Sequence, residues 1–245
     1  MQRHRFYAPP GTEAEGSIRL DATESHHLCR VLRLRAGDQV FAFDGEGREW
    51  ECEVVESHQR SSRLTVRREL DEVVESPLNL TLAQALTRSD RFDLVIQKAT
   101  ELGVNRITPV ITGHSEIRRT AEVSTSRYER WQRISLEALK QCRRRRIVTI
   151  DSPVLFPALC QNLTNTPALI LSEYGGQTFP QLSGNQRQLT LVVGPEGGWS
   201  KEEVALANAS GLIAIYLGPR ILRTETAAIA ALTLAQFQSG DLSGA

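Results

Sequence analysis

An α/β domain preceded by a small β-rich domain is the architecture this sequence predicts. Three observations carry the prediction. From residue 80 onward short apolar runs alternate with helical stretches, the pattern of a parallel sheet covered on both faces. Before residue 70 the apolar runs alternate with tight turns instead, Gly45-Glu46-Gly47 among them. Between the two lies Glu69-Leu70-Asp71-Glu72-Val73-Val74-Glu75-Ser76-Pro77, acidic and closed by proline, which divides the chain into 1–72 and 73–245.

In the first part, Ser25–Leu34 reads as a short helix with Leu28, Val31 and Leu32 on one face and Arg30 and Arg33 on another. Gln39–Asp44, Trp50–Glu56 and Arg63–Arg68 follow as strands. His26 and His27 are adjacent, a poor spacing for two ligands on one helix face, and read as packing or partner-contact residues rather than metal ligands. In the second part, Leu80–Leu86 and Ile107–Ile111 are strands flanking a helix that starts near Ser89 and stops at Gly103. Ser126–Cys142 is a long helix with Trp131, Ile134, Ala138 and Leu139 near its buried face. Ile147–Ile150, Ala168–Leu171, Leu189–Val193 and Ala214–Leu217 are further strands, with helices at Phe156–Leu163, Lys201–Ala209 and Thr226–Phe237.

Composition removes several classes. No apolar run approaches the roughly 18 residues that span a bilayer, and Met1–Tyr7 lacks a signal-peptide core, so a cytoplasmic protein is expected. The four cysteines are scattered without a Cys-x-x-Cys pair, as in a reducing compartment, and no metal is expected. A net charge of zero conceals a basic middle: residues 86–146 hold 14 Lys+Arg against 7 Asp+Glu, and only three of the chain's 29 basic residues are lysine. Arginine's planar fork suits phosphates and bases. Such a block is either a solvated arginine-rich face or the footprint of a polyanionic partner.

Two glycine-bearing loops carry the chemistry. Leu189–Val193 runs into Gly194-Pro195-Glu196-Gly197-Gly198, and Ser200 with Glu203 has the form of a capping box for the next helix. Ala214–Leu217 runs into Gly218-Pro219-Arg220-Ile221-Leu222-Arg223-Thr224-Glu225-Thr226-Ala227 and an almost wholly apolar helix, which is buried in a core or against another subunit. Glycines at a strand-to-helix turn allow close backbone approach to a ligand. Neither Gly-x-Gly-x-x-Gly nor a P-loop is present, which excludes the common dinucleotide and nucleoside-triphosphate sites.

Gly-Pro-Glu-Gly-Gly followed by Leu-Gly-Pro-Arg-Ile-Leu-Arg-Thr-Glu-Thr-Ala resembles the paired signature of the SPOUT-class RNA methyltransferases, and more narrowly the RsmE family of 16S ribosomal RNA uridine-N3 methyltransferases. His27–Arg33 with Gly37-Asp38 is similar to that family's PUA-like β-barrel, Gln97–Val104 to its first catalytic-domain helix, and Glu137–Cys142 to its substrate-side helix end. The resemblance implies a PUA-like RNA-binding barrel over 1–72 and a SPOUT α/β domain with a C-terminal deep trefoil knot over 73–245. It implies S-adenosylmethionine held by Leu171, Ser172, Gly194, Pro195, Glu196, Gly197, Gly198, Leu217, Gly218, Ile221, Leu222, Thr224, Thr226 and Ala227. It further implies 16S rRNA of the small ribosomal subunit as substrate, and a homodimer. Family members commonly have glycine where Arg143 stands and proline where Val148 stands, so Arg144 and Arg146 are carried over while Arg143 and Arg145 read as surface charge.

On that resemblance Arg223, with Glu225 beside it, is the expected catalytic residue, stabilising negative charge as uridine N3 attacks the methyl group. Glu196, Glu225 and His114 remain alternatives for a general base. His27, Arg30, Arg33, Arg118, Arg119, Arg144 and Arg146 are the expected RNA contacts. The target uridine must be unpaired, because N3 lies on its pairing edge. The competing reading is a non-catalytic RNA-binding or ribosome-assembly factor on the same fold.

Overall fold

The computed structural model describes residues 4–71, 74–115, 117, 119–164, 166–173, 175–182 and 187–243. The chain forms two compact units, Met1–Glu75 with Leu139–Ile147, and Ser76–Ala138 with Val148–Ala245. The expected boundary at 72/73 is a single cut, whereas the observed division falls at 75/76 and returns residues 139–147 to the first unit.

The first unit holds β1 (Arg5–Tyr7), β2 (Glu13–Ala14), β3 (Ser17–Arg19), α1 (Ala22–His26), β4 (Gln39–Phe43), β5 (Glu49–Glu56) and β6 (Arg63–Glu69). Its sheet runs β1-β4-β5-β6-β3-β2, parallel only between β1 and β4. Phe6, Ile18, Leu28, Val40, Trp50 and Leu64 fill the core. The expected helix at 25–34 is displaced. The Asp21 side chain accepts from the Glu24 backbone and starts α1 early, after which His27–Val31 forms a π-helical turn. Arg33, at φ +56°, lies beyond helical geometry. Along β5 and β6 and at Arg48 just before β5, exposed pairs Arg48–Glu69, Arg67–Glu53 and Arg68–Glu51 neutralise one another and contribute little to stability.

Ion pairs inside this unit explain why it recruits residues 139–147. Arg5 and Arg145 both bind the buried carboxylate of Glu49, at 2.6 and 2.9 Å. Arg144 binds Glu75 at 2.8 Å, and Lys140 pairs with Glu24. Arg5 also donates to the Leu139 and Arg144 carbonyls. Burial pulls the Arg5 guanidinium below its usual range, and Glu49 partly restores it.

The second unit contains β7 (Asn79–Ala85), α2 (Ser89–Glu101), β8 (Arg106–Ile111), most of α3 (Thr125–Cys142), β9 (Thr149–Ile150), β10 (Val154–Leu155), α4 (Phe156–Leu163), β11 (Ala168–Leu171), β12 (Gln177–Thr178), β13 (Gln188–Val193), α5 (Lys201–Ala209), β14 (Ile213–Tyr216) and α6 (Thr224–Ser239). Its strands are all parallel, in the order β10-β8-β7-β13-β11-β14-β12, with β9 also on β8. Successive side chains on a strand point to opposite faces, and the apolar runs obey that period. Leu169, Leu171, Leu189, Leu191 and Val193 join Phe92 and Ile96 of α2, Trp131 of α3, and Ala228 and Leu232 of α6. Ala168, Ile170 and Val192 join Phe156 and Leu159 of α4 and Ala207 of α5 on the other face. Among the described residues no helix is long and apolar enough to cross a membrane.

Candidate active site

Neighbouring parallel strands β13, β11 and β14 end together: Val192 lies opposite Ile170, and Leu171 opposite Ile215. The loops that leave them therefore converge although they are distant in sequence, the position at which open α/β sheets bind ligands. They enclose a cavity of about 420 Å³.

Most expected cofactor residues meet there. Leu171 and Ser172 line the cavity from β11, Gly194, Pro195, Glu196 and Gly198 from the β13 loop, and Leu217, Gly218, Ile221, Leu222, Thr224 and Ala227 from the β14 loop. Gly198 and Gly218 have φ of +69° and +77°, conformations that side chains with a Cβ rarely adopt. Gly197 and Thr226 are not part of the lining. Gly197 turns toward the loop after β8 instead, where an added Cβ would meet the His114 Cβ at 3.0 Å.

Three hydrogen bonds fix the loops. Thr224 Oγ1 donates to the Gly194 carbonyl at 2.6 Å, joining the β14 and β13 loops. Trp199 Nε1 donates to the Leu171 carbonyl at 2.7 Å, joining the glycine loop to β11. The Gly113 amide donates to Glu203 Oε1 at 2.7 Å, while Glu203 and Ser200 complete the expected capping box of α5.

Both signs of charge line the cavity, with Glu173 and Glu196 alongside three arginines. Arg223 and Arg220 line it, as does Arg91 from the first turn of α2. Arg91 pairs with Glu196 at 2.7 Å. Of the three alternatives for a base, Glu196 alone lines the cavity. His114 is exposed, with Nδ1 2.9 Å from the Gly198 carbonyl, so that nitrogen carries the proton. Glu225, expected beside Arg223 in catalysis, is not brought to the cavity. It starts the buried face of α6 at 9% exposure, and its Oε2 has no hydrogen-bond partner among the described residues.

The expected RNA contacts divide. Arg30, Arg33, Arg119 and Arg146 are exposed. His27 is half-buried with its ring edge-on to Phe6, 6.1 Å between centroids. Arg118 lies outside the described residues. Arg144 is 5% exposed and committed to Glu75, so its charge is spent inside the first unit. Arg145, read as surface charge, is 3% exposed against Glu49 and the Leu70 carbonyl. Among the described residues no three His, Cys, Asp or Glu side chains gather to hold a metal. Arg91, Trp199 and Tyr216 are lining residues the motifs did not point to. The signal for Arg91 is positional: it opens the helix that follows β7, the strand beside β13.

A parallel sheet with a glycine-loop cavity at its carboxyl edge, joined to a separate β unit, agrees with two sequence families. The RNA methyltransferase domain matches residues 74–236, and the RNA methyltransferase PUA domain matches 20–64. The fold and site thus define an RNA methyltransferase with an N-terminal PUA domain. The ribosomal RNA small subunit methyltransferase E of Buchnera aphidicola subsp. Schizaphis graminum is 31% identical, covering 98% of each chain. The Synechocystis protein of that name is 33% identical over 95% of this chain and 77% of its own. The Neisseria gonorrhoeae ribosomal RNA small subunit methyltransferase E, solved bound to S-adenosylmethionine, is 32% identical with a TM-score of 0.88, covering 98% of this chain and 99% of its own. A Legionella pneumophila structure in complex with the same cofactor gives a TM-score of 0.92 at 32% identity, covering 98% of this chain and all of that one. The chain belongs to the ribosomal RNA small subunit methyltransferase E family.

Proposed function

We propose that this chain transfers the methyl group of S-adenosylmethionine to N3 of a uridine in 16S rRNA of the small ribosomal subunit. The convergence of the two glycine loops on one cavity carries the reading. The residues fit the cofactor. The cavity is within the roughly 300–1,000 Å³ of small-molecule sites, its walls combine apolar Leu171, Val193, Leu217 and Leu222 with exposed loop backbone, and Gly198 and Gly218 keep Cβ atoms out. Leu171, Gly194, Gly198, Leu217, Gly218, Leu222 and Ala227 would hold the nucleoside. When bound, the cofactor supplies an electrophilic methyl group on a cationic sulfur.

Arg223 is the proposed catalytic residue. Its guanidinium stabilises the charge that develops on the uracil oxygens as N3 loses its proton to solvent. Arg91 holds Glu196 in place at the cavity wall, and the fixed loops align the reacting atoms. The first unit is proposed to choose the RNA through His27, Arg30 and Arg33, with Arg119 and Arg146 contacting phosphates. We also infer the trefoil knot over the β13–α6 segment, supported by the β13-β11-β14 order and by α6 packing back on α2 and β13. A homodimer is inferred from Leu234 and Phe237, which leave apolar surface on α6 exposed. The four free thiols accord with action in the cytoplasm.

The test is incubation with the methyl donor and unmethylated small subunits, followed by nucleoside analysis for 3-methyluridine. The expected product appears with the native chain. With Arg223→Ala it falls by about 10²-fold or more while cofactor affinity measured by calorimetry is retained. Equal loss of both would remove Arg223 from catalysis, and methylation at another atom would overturn the N3 assignment.

A further inference from the structure

The hydrogen bond that joins the two loops depends on a residue that neither loop contains. Gln84, near the end of β7, is completely buried and lies opposite Val193 in the pairing with β13, one residue before Gly194. Its Nε2 donates to Thr224 Oγ1 at 3.0 Å, and Thr224 Oγ1 donates to the Gly194 carbonyl at 2.6 Å. A hydroxyl has one proton to give. That proton goes to Gly194, so Thr224 can only accept from Gln84, and Gln84 must present its nitrogen. The chain Gln84 to Thr224 to Gly194 is therefore directional. Its last two members line the cavity and its first does not.

The surrounding strand makes this amide costly. Leu80, Leu82, Ala83 and Ala85 are buried apolar neighbours, and Gln84 Oε1 has no hydrogen-bond partner among the described residues. A leucine of similar size would avoid that desolvated oxygen. The amide nitrogen is what leucine cannot supply.

We propose that Gln84 is a positioning residue for the methyl-donor site. By fixing the Thr224 hydroxyl it locks the β14 loop to the β13 loop, so that the site is formed before the cofactor arrives. The proposal rests on the S-adenosylmethionine reading above. Without Gln84 the Thr224 oxygen loses the donor that anchors it, its bond to Gly194 is held less firmly, and the binding-competent loop arrangement becomes a fraction of the ensemble. Apparent affinity falls in proportion to that fraction.

Calorimetric titration with S-adenosylmethionine of the native protein and of Gln84→Leu, Thr224→Val, their double variant and Thr224→Ser tests the proposal, with thermal unfolding run on each. Gln84→Leu and Thr224→Val are each expected to weaken binding by about 10-fold. The double variant should be no weaker than the worse single one, because both break one chain. Thr224→Ser, which keeps the hydroxyl, should recover most of what Thr224→Val loses. In turnover with RNA, Gln84→Leu should raise KM for the donor far more than it lowers kcat. Gln84→Leu affinity within twofold of native, or effects that multiply in the double variant, would overturn the proposal. If Gln84→Leu does not fold, the Thr224 pair decides: equal affinities for the Val and Ser variants refute the chain, and loss in Val alone supports it. A native protein that binds no donor overturns the cofactor reading itself, an outcome distinct from all of these.

Discussion

Arg143→Gly should make the protein more stable. Helix α3 ends at Cys142, and the next residue, Arg143, has φ +69°. This left-handed position after a helix is usually glycine, because a Cβ there crowds the backbone by about 1–2 kcal/mol. The Arg143 side chain is exposed, so its removal sacrifices no core packing. Glycine's greater freedom in the unfolded chain offsets about 0.5–1 kcal/mol, leaving a net gain centred on ~0.75 kcal/mol. For a chain of this size that corresponds to a rise in Tm of roughly 1–4 °C. Thermal unfolding by circular dichroism reads the change, with Arg143→Ala as the comparison: alanine removes the charge but keeps the Cβ. A glycine variant that melts at or below the native temperature, or an alanine variant that gains as much, would refute the backbone-strain argument.

Gly218→Val places a branched Cβ at φ +77° in a loop lining the cavity, and should cost about 1–2 kcal/mol of stability and most cofactor affinity; calorimetry giving native affinity would move the site elsewhere. Glu49→Gln leaves Arg5 and Arg145 buried without their shared carboxylate, and denaturant unfolding should show a loss of about 3–5 kcal/mol. Burial pushes the Cys52 thiol up to about 12 and the Cys160 thiol to about 11. Both are raised above the unfolded value of roughly 8.5. Their contribution to stability is therefore complete below that pH and is lost as pH rises toward 11 and 12. Native-state alkylation at pH 8 should label the half-buried Cys29 and Cys142 and spare the other two, as peptide mapping would show.

The catalytic unit was legible where local pattern and tertiary role coincide. Ala168–Leu171 is apolar at every position and Leu189–Val193 at all but Thr190, because both faces of the sheet are covered, and the glycine loops directly follow such strands. The readings that failed depend on distant residues. A run of four arginines looks solvated, yet Arg144 and Arg145 find Glu75 and Glu49 some 70 and 96 positions away. Arg91 and Gln84 reach the site only because β7 pairs with β13, a neighbour far along the chain. Glu225 sits within the motif, but the turn of α6 carries it inward while its neighbour Thr224 faces the loops.

The return of Leu139–Ile147 to the first unit bears on how the protein is made. Translation delivers residues 4–75 first, but Arg144, the partner of Glu75, and Arg145, which shares Glu49 with Arg5, are on the later segment. Until residue 147 has emerged, Glu75 lacks Arg144 and Glu49 has Arg5 but not Arg145, a condition that disfavours burying these groups. Its closure is thus scheduled by the synthesis of residues 76–138, and a fragment ending at Glu75 would stay loose until a peptide spanning 139–147 was added to it. The first unit becomes complete only when the opening stretch of the second has already been made.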